Sequence, residues 1–215
     1  MSQRPSIART VFGMSLVILG SALVAGAQDE GVKQIQQLIK RATSGVEAIT
    51  EAKLQVQKTM TAYNGVLAPD AKDRRDAYKK LQKEMEELEK KRVTVSTRSS
   101  EMNAEAAKLF KSWEGSTAAI SNPDLRQRSE QRLTTAKQRF DEIRTAGQSA
   151  TTLYAPFMKS LQDQVTFLGH DLNPGAVATL KPDAEKLNTQ AQELYAAIDK
   201  TTAIANSNIS RLSAE

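Results

Sequence analysis

Apolar residues recur at alternating steps of three and four along most of this chain, a spacing that admits helices with one buried stripe and excludes strands. The first run is Val32, Ile35, Ile39, Ala42, Val46, Ile49, Lys53, Val56, Met60, Tyr63, Leu67, broken only by Lys53. Asn64-Gly65 and Ala68-Pro69-Asp70 are the stop and turn signals that follow it. The second run is Tyr78, Leu81, Met85, Leu88, Arg92, Val95, Ser99, Met102, Ala106, Leu109, Trp113, expected to end around Gly115. Asn122-Pro123-Asp124 then reads as a helix start, with a capping Asn, a proline at the first helical position and an acid in the first turn.

The third run is Leu125, Ser129, Leu133, Ala136, Phe140, Ile143, Gly147, Ala150, Tyr154, Phe157, Leu161, Gln164, Leu168. Pro156 lies inside it and is expected to kink it; Gly169 and Asn173-Pro174-Gly175 are expected to end it. The fourth is Val177, Leu180, Ala184, Leu187, Ala191, Leu194, Ile198, Thr201, Ala205, Asn208, Leu212. Pro182 near its start predicts a separate turn or a bent first segment over 174–181. Four runs of ~35–45 residues, or ~50–70 Å each, joined by short loops, predict an all-α fold. The expected form is an elongated antiparallel four-helix bundle or a pair of long coiled-coil hairpins, in one domain over 28–215.

Composition narrows the chemistry. The 215 residues include no cysteine and one histidine, which excludes disulfides, thiolate metal sites, a cysteine nucleophile and any site with two imidazoles. Ten glycines are scattered, so no phosphate-cradling or dinucleotide fingerprint forms, and no Gly-x-Ser-x-Gly elbow occurs. The residue three before His170 is Phe167, so the Glu-x-x-His pair of di-iron bundles is missing. No cofactor is expected, and no catalytic constellation emerges.

Residues 1–27 read as an address. Arg4 and Arg9 precede the uncharged apolar stretch Val11–Ala25, and Ala25-Gly26-Ala27 places small residues where a signal peptidase reads them. Cleavage after Ala27 and a periplasmic mature chain are expected; the competing reading is an uncleaved anchor, for which the stretch is short. Losing Arg4 and Arg9 lowers the formal charge from +5 to +3. Positive charge gathers in residues 28–144 without forming the dense stripe of a nucleic-acid binder, so no nucleic-acid partner is expected.

Few residues invite a sharper reading. His170 sits where the bundle topology would gather Tyr63, Tyr78, Phe157 and Phe167, with Asp171 adjacent. His170, Tyr63 and Phe167 are therefore candidates for a ligand or switch site. A haem ligand paired with Met60 is a remoter option, and a plain imidazole at a helix end is the structural alternative. Lys53 and Arg92 occupy stripe positions that call for apolar residues. They mark either polar layers that set register or a polar groove for a ligand, and Arg92 should lie level with Gly147. The charged stretch Lys83–Arg92 reads as a solvated helix face, with Glu86–Lys90 and Glu87–Lys91 at the favourable spacing.

Two segments carry a family resemblance. DQVTFLGHDLNPGAVATL (Asp163–Leu180) and KLFKSWEGSTAAISNPDLRQRSEQRLTTAKQRFDEI (Lys108–Ile143) resemble the bacterial family of exported helical proteins catalogued as domain of unknown function 2959. The likeness rests on a helix end centred on Trp113, the segment Ser129-Glu130-Gln131-Arg132-Leu133, and Phe167-Leu168-Gly169-His170-Asp171-Leu172-Asn173. It implies bacterial origin and a coiled-coil body, and it supplies no activity. Pro182 departs from the family pattern of a continuing helix.

The leading functional expectation is a non-enzymatic scaffold or adaptor of the bacterial cell envelope, partnered by another envelope protein or by a second copy. The alternative is a carrier or membrane-surface binder that takes a lipid or other apolar ligand at the aromatic-rich bundle end.

Overall fold

A computed structural model describes residues 21–213, with side chains over 31–212. Residues 1–20 of the expected leader lie outside the described residues. The elements are α1 (Ser21–Leu67), α2 (Arg74–Ala118), α3 (Pro123–His170), α4 (Pro174–Thr179) and α5 (Lys181–Ser213). No strand occurs among the described residues. The fold is all-α, as the three-four spacing requires.

Local chemistry accounts for each turn. Asp73 caps α2 by accepting from the Asp76 amide, and Arg74 donates back to the Ala68 carbonyl at 3.0 Å, closing the α1–α2 loop. Asn122 caps α3 through the amides of Asp124 and Leu125, with Pro123 in the first helical position, as the sequence predicts. Across the same turn Arg126 donates to the Ile120 carbonyl at 2.9 and 2.7 Å. Asn173 caps α4 through the Ala176 amide, and α5 starts one residue after the α4 cap, with Pro182 in its first turn. The bend expected over 174–181 is thus a separate six-residue helix.

Some signals acted later or differently than expected. α1 runs past Asn64-Gly65 to Leu67, and α2 runs past Gly115 to Ala118. A single exposed glycine costs a helix about 1 kcal/mol, too little to end one whose stripe still packs. α3 is continuous through Pro156. Pro156 and Thr152 are both exposed, so water can take the carbonyl that the proline leaves without its amide. Gly169 adopts no positive φ and does not end α3; its role is steric, as described below.

α1 packs along α2 and α3 along α5, giving two long antiparallel hairpins. α1 also packs along α5, whereas α2 and α3 meet least. The helices therefore stand at the corners of a square with three closed edges and one loose edge. At 1.5 Å per residue the 47- and 48-residue helices α1 and α3 are ~70 Å long.

The apolar stripes meet inside one chain, in two clusters. The larger lies toward the α1–α2 and α3–α4 loops and includes Tyr63, Leu81, Leu88, Phe157, Leu161, Leu168, Leu187 and Leu194. The smaller lies toward the α2–α3 turn and includes Leu38, Ala42, Met102, Ala106, Leu109, Ile143 and Ala205. Phe110 and Phe140 meet edge to face beside it, their centroids 5.8 Å apart. The large exposed apolar residues, Val32, Leu54, Val93, Leu125 and Phe167, are scattered along the chain.

Candidate functional site

The loop end brings together some of the residues the sequence singled out and separates others. Tyr63 and Phe157 are fully buried in the larger cluster, while Phe167 and His170 are exposed. Tyr63 donates to Gln164 Oε1, and Gln164 Nε2 donates to the Asp183 carbonyl at 3.3 Å, so one buried chain of hydrogen bonds ties α1, α3 and α5. Burial, and secondarily the Asp183 charge, holds the Tyr63 hydroxyl well above the ordinary phenol range. It is a structural donor, fixed and protonated. His170 occupies the last turn of α3, where a cation suits the helix dipole, and it makes no hydrogen bond or ion pair to any described residue. Met60 lies buried in the core, away from that exposed imidazole.

Gly169 explains the packing beside it. A Cβ at this position would stand 2.7 Å from the Tyr78 hydroxyl oxygen. That hydroxyl donates to the Val165 carbonyl at 3.1 Å, so glycine here admits a tie from α2 onto the α3 backbone. The aromatic end is filled by the protein's own side chains.

The polar stripe residues divide. Lys53 reaches across to Asp199 on α5 at 2.6 Å and lies 6.0 Å from the Tyr195 ring centroid, its stem covering the seam while its charge faces outward. Arg92 is exposed and pairs with Glu89 one turn back, through Nε at 2.9 and 2.8 Å and through Nη2. Lys91 departs from the expected i,i+4 pairing and reaches Glu51 on α1 at 2.7 Å, and Lys90 pairs with Glu87. Further buried polar ties come from residues to which the sequence reading gave no role. Gln55 and Thr59 bond the Glu84 carbonyl on α2, and Thr201 donates to the Ala146 carbonyl on α3 at 2.9 Å. In the amino-acid sequence they look like ordinary polar helix residues; only Thr201 announces itself, as a hydroxyl on the α5 stripe.

Between the two core clusters lies a groove of about 980 Å³. Its position follows from residue size. At this level the facing stripes carry Ala42, Ser99, Gly147, Ala150 and Thr201, which are too small to fill a four-helix core. α1 and α5 supply the floor, with Ile49, Ile198 and Ala205; α2 and α3 supply an exposed polar rim that includes Ser96, Asn103, Gln148 and Thr151. The loose α2–α3 edge is its mouth. Arg92 and Gly147 line it together, as the sequence register predicts.

Arg92 and Arg144 are the charged residues of its lining, and no carboxylate lines it. Tyr154 also lines it, and its hydroxyl oxygen is buried with no hydrogen-bond partner. Burial pushes the Tyr154 pKa up to about 12; the Glu89 charge adds to the rise and the Arg92 charge opposes it. The groove thus combines an apolar floor, a polar rim, two guanidinium groups and one orphan donor.

Among the described residues no cluster of three or more His, Asp or Glu is placed to hold a metal ion. Among them, too, no helix is long and apolar enough to cross a membrane. His170 is about 24 Å along α3 from Tyr154, so the one imidazole and the groove are separate features.

The fold defines a long helical protein with two packed cores and a side groove. Residues 25–212 match the family described as protein of unknown function DUF2959, and the chain belongs to that family. No curated protein and no solved structure matches it.

Proposed function

We propose that the protein is exported and acts as a non-enzymatic scaffold or adaptor in the bacterial cell envelope. The observation that carries this reading is a rod ~70 Å long whose apolar stripes pack mostly against one another within the chain, leaving a largely charged and polar outer surface along its length. Such a rod presents side chains at fixed spacings to another envelope protein or to a second copy. Export rests on the basic, apolar and small-residue sequence of 1–27. The family match begins at residue 25, beside the expected cleavage point, which agrees with a leader lying outside the shared body.

The test is purification from the periplasm of the source bacterium at natural expression level, with cross-linking and mass spectrometry. The expected result is a mature chain beginning at Gln28 and a near-stoichiometric protein partner cross-linked through exposed lysines such as Lys58, Lys80 and Lys159. A turnover activity abolished by His170→Ala in a folded protein would overturn the non-enzymatic assignment. A chain retaining Met1 in the cytoplasm would overturn the location.

A further inference from the structure

We propose that the groove between α2 and α3 is a binding site for a single-chain anionic amphiphile, with its head between Arg92 and Tyr154 and its apolar chain along the α1–α5 floor. This goes beyond the scaffold reading and stands on a separate observation.

Size and shape come first. About 980 Å³ is at the upper end of the ~300–1,000 Å³ typical of small-molecule sites. The lining runs from Ala42 to Ala52 on α1, Leu194 to Ala205 on α5 and Ile143 to Ala155 on α3, so the groove extends ~15–18 Å parallel to the helices. It is elongated along the helix axes, which suits an extended acyl chain. Ile49 and Ile198 on the floor, with Leu88, Met102 and Ile143 on the flanking helices, offer such a chain apolar contacts.

Charge and the orphan hydroxyl then fix the head. Arginine alone supplies charge to the lining. Arg92 spends Nε and Nη2 on Glu89 and keeps Nη1 without an acceptor among the described residues. Arg144, at the other end, has a single ion-pair contact, to Asp141 at 3.4 Å. Only the Arg92 end has a buried hydroxyl without a partner, and a buried polar group left so is a cost that an incoming acceptor removes. The Tyr154 hydroxyl oxygen is closed to water in the unliganded protein, so a modest shift of the ring toward the groove lets one carboxylate or phosphate oxygen accept from it and from the Arg92 guanidinium together. Free fatty acids and lysophospholipids share this chemistry.

The groove also has a built-in way to be blocked. A Cβ placed on Gly147 or on Gly45 meets nothing within 4 Å, so either position of the lining has room to start a larger side chain.

The experiment measures binding of dodecanoate, dodecanol and a lysophosphatidylglycerol to the purified protein, by calorimetry and by displacement of a dansyl-labelled fatty acid. Dodecanoate should bind at one site per chain, and dodecanol about tenfold or more weakly, the worth of one charge-assisted hydrogen bond. Gly147→Leu and Gly45→Leu, each confirmed as helical with an undiminished melting temperature, should lose at least about tenfold in affinity for dodecanoate. Tyr154→Phe and Arg92→Gln should narrow the gap between dodecanoate and dodecanol, by weakening dodecanoate more than dodecanol. Lysolipid binding above that of dodecanoate would assign the head as phosphate, and the reverse as carboxylate; both support the site. Absence of saturable binding by either anion, equal binding of dodecanol and dodecanoate, or full binding by both folded leucine variants would each overturn it.

Discussion

The loop-end core and the middle of the bundle are built by the same four helices on the same spacing, yet one is filled and the other is open. At the loop end, Tyr63, Leu81, Phe157, Leu161, Leu168 and Leu187 bury completely. Three turns away, the facing stripe positions carry Ser99, Gly147, Ala150 and Thr201, and a groove of about 980 Å³ remains. Periodicity decides which face of each helix turns inward; side-chain volume decides whether that interior closes. Polar satisfaction divides the same way. The Tyr63 hydroxyl is tied to Gln164, while the Tyr154 hydroxyl, similarly withdrawn from water, has no partner. The loop end behaves as a filled core, the middle as a surface folded inward.

The largest effect should come from emptying the filled end. Phe157→Ala removes a fully buried ring from the larger cluster and should cost about 3–5 kcal/mol in denaturant unfolding. A Phe157→Ala loss of under about 1 kcal/mol would mean this end is not the stabilising core. The same conservative change should then have opposite signs in the two regions. Tyr63→Phe strips Gln164 of its donor in a buried site and should destabilise by about 1–3 kcal/mol. Tyr154→Phe removes a hydroxyl that has no partner and should stabilise the unliganded protein by up to about 1 kcal/mol. If both variants lose stability equally, the two hydroxyls are in equivalent surroundings and the contrast fails.

Alkaline titration probes the same contrast. Burial raises the phenol pKa of Tyr154 from 10.0 to about 12, and that of Tyr195 in the same direction. The native state therefore holds protons that the unfolded chain surrenders. Stability contributed this way is intact below the unfolded pKa of about 10 and is lost as the pH rises through the native value. Melting temperature should fall steeply from about pH 10 to 12, and less steeply in Tyr154→Phe. An unchanged slope in that variant would show that its phenol titrates as in the unfolded chain.

Much of this architecture is readable from the chain itself, because its physics is local. The three-four spacing gives four helices, Asn122-Pro123-Asp124 gives the α3 start, and Pro182 gives the break before α5. The resemblance carried by Trp113, Ser129–Leu133 and Phe167–Asn173 pointed to the family that the chain belongs to. The groove was half visible: Arg92 and Gly147 fell at one level, and both line it. What the spacing did not disclose was the volume deficit, since it arises from four helices contributing small residues at one height. Nor did it disclose which aromatic hydroxyl finds a partner. Tyr63 and Tyr154 occupy equivalent stripe positions, and only the arrival of Gln164 across the bundle distinguishes them. Gly169 illustrates the same limit, reading as a helix stop when its actual role is to admit a side chain from another helix.

The smallest effect compares two glycines of α3. At Gly147 a methyl group meets nothing within 4 Å, so Gly147→Ala should gain the ordinary helix benefit of about 0.5–1 kcal/mol. At Gly169 the same methyl group stands 2.7 Å from the Tyr78 hydroxyl oxygen, which must retreat and give up its bond to the Val165 carbonyl. Losing that bond costs about 1 kcal/mol, which cancels or reverses the helix gain. Gly169→Ala should therefore be neutral to mildly destabilising in chemical denaturation, with an unchanged m value. Removing the obstacle separates the two contributions. In a Tyr78→Phe background the hydroxyl is gone and the next ring atom lies 3.5 Å from the new methyl, an ordinary contact. Gly169→Ala should then stabilise, by about as much as Gly147→Ala does. A positive coupling of about 0.5–1 kcal/mol in that double-mutant cycle is the expected reading. Additivity would show that Tyr78 does not lean on Gly169, and the close approach of α2 to the end of α3 would have to be explained by some other contact.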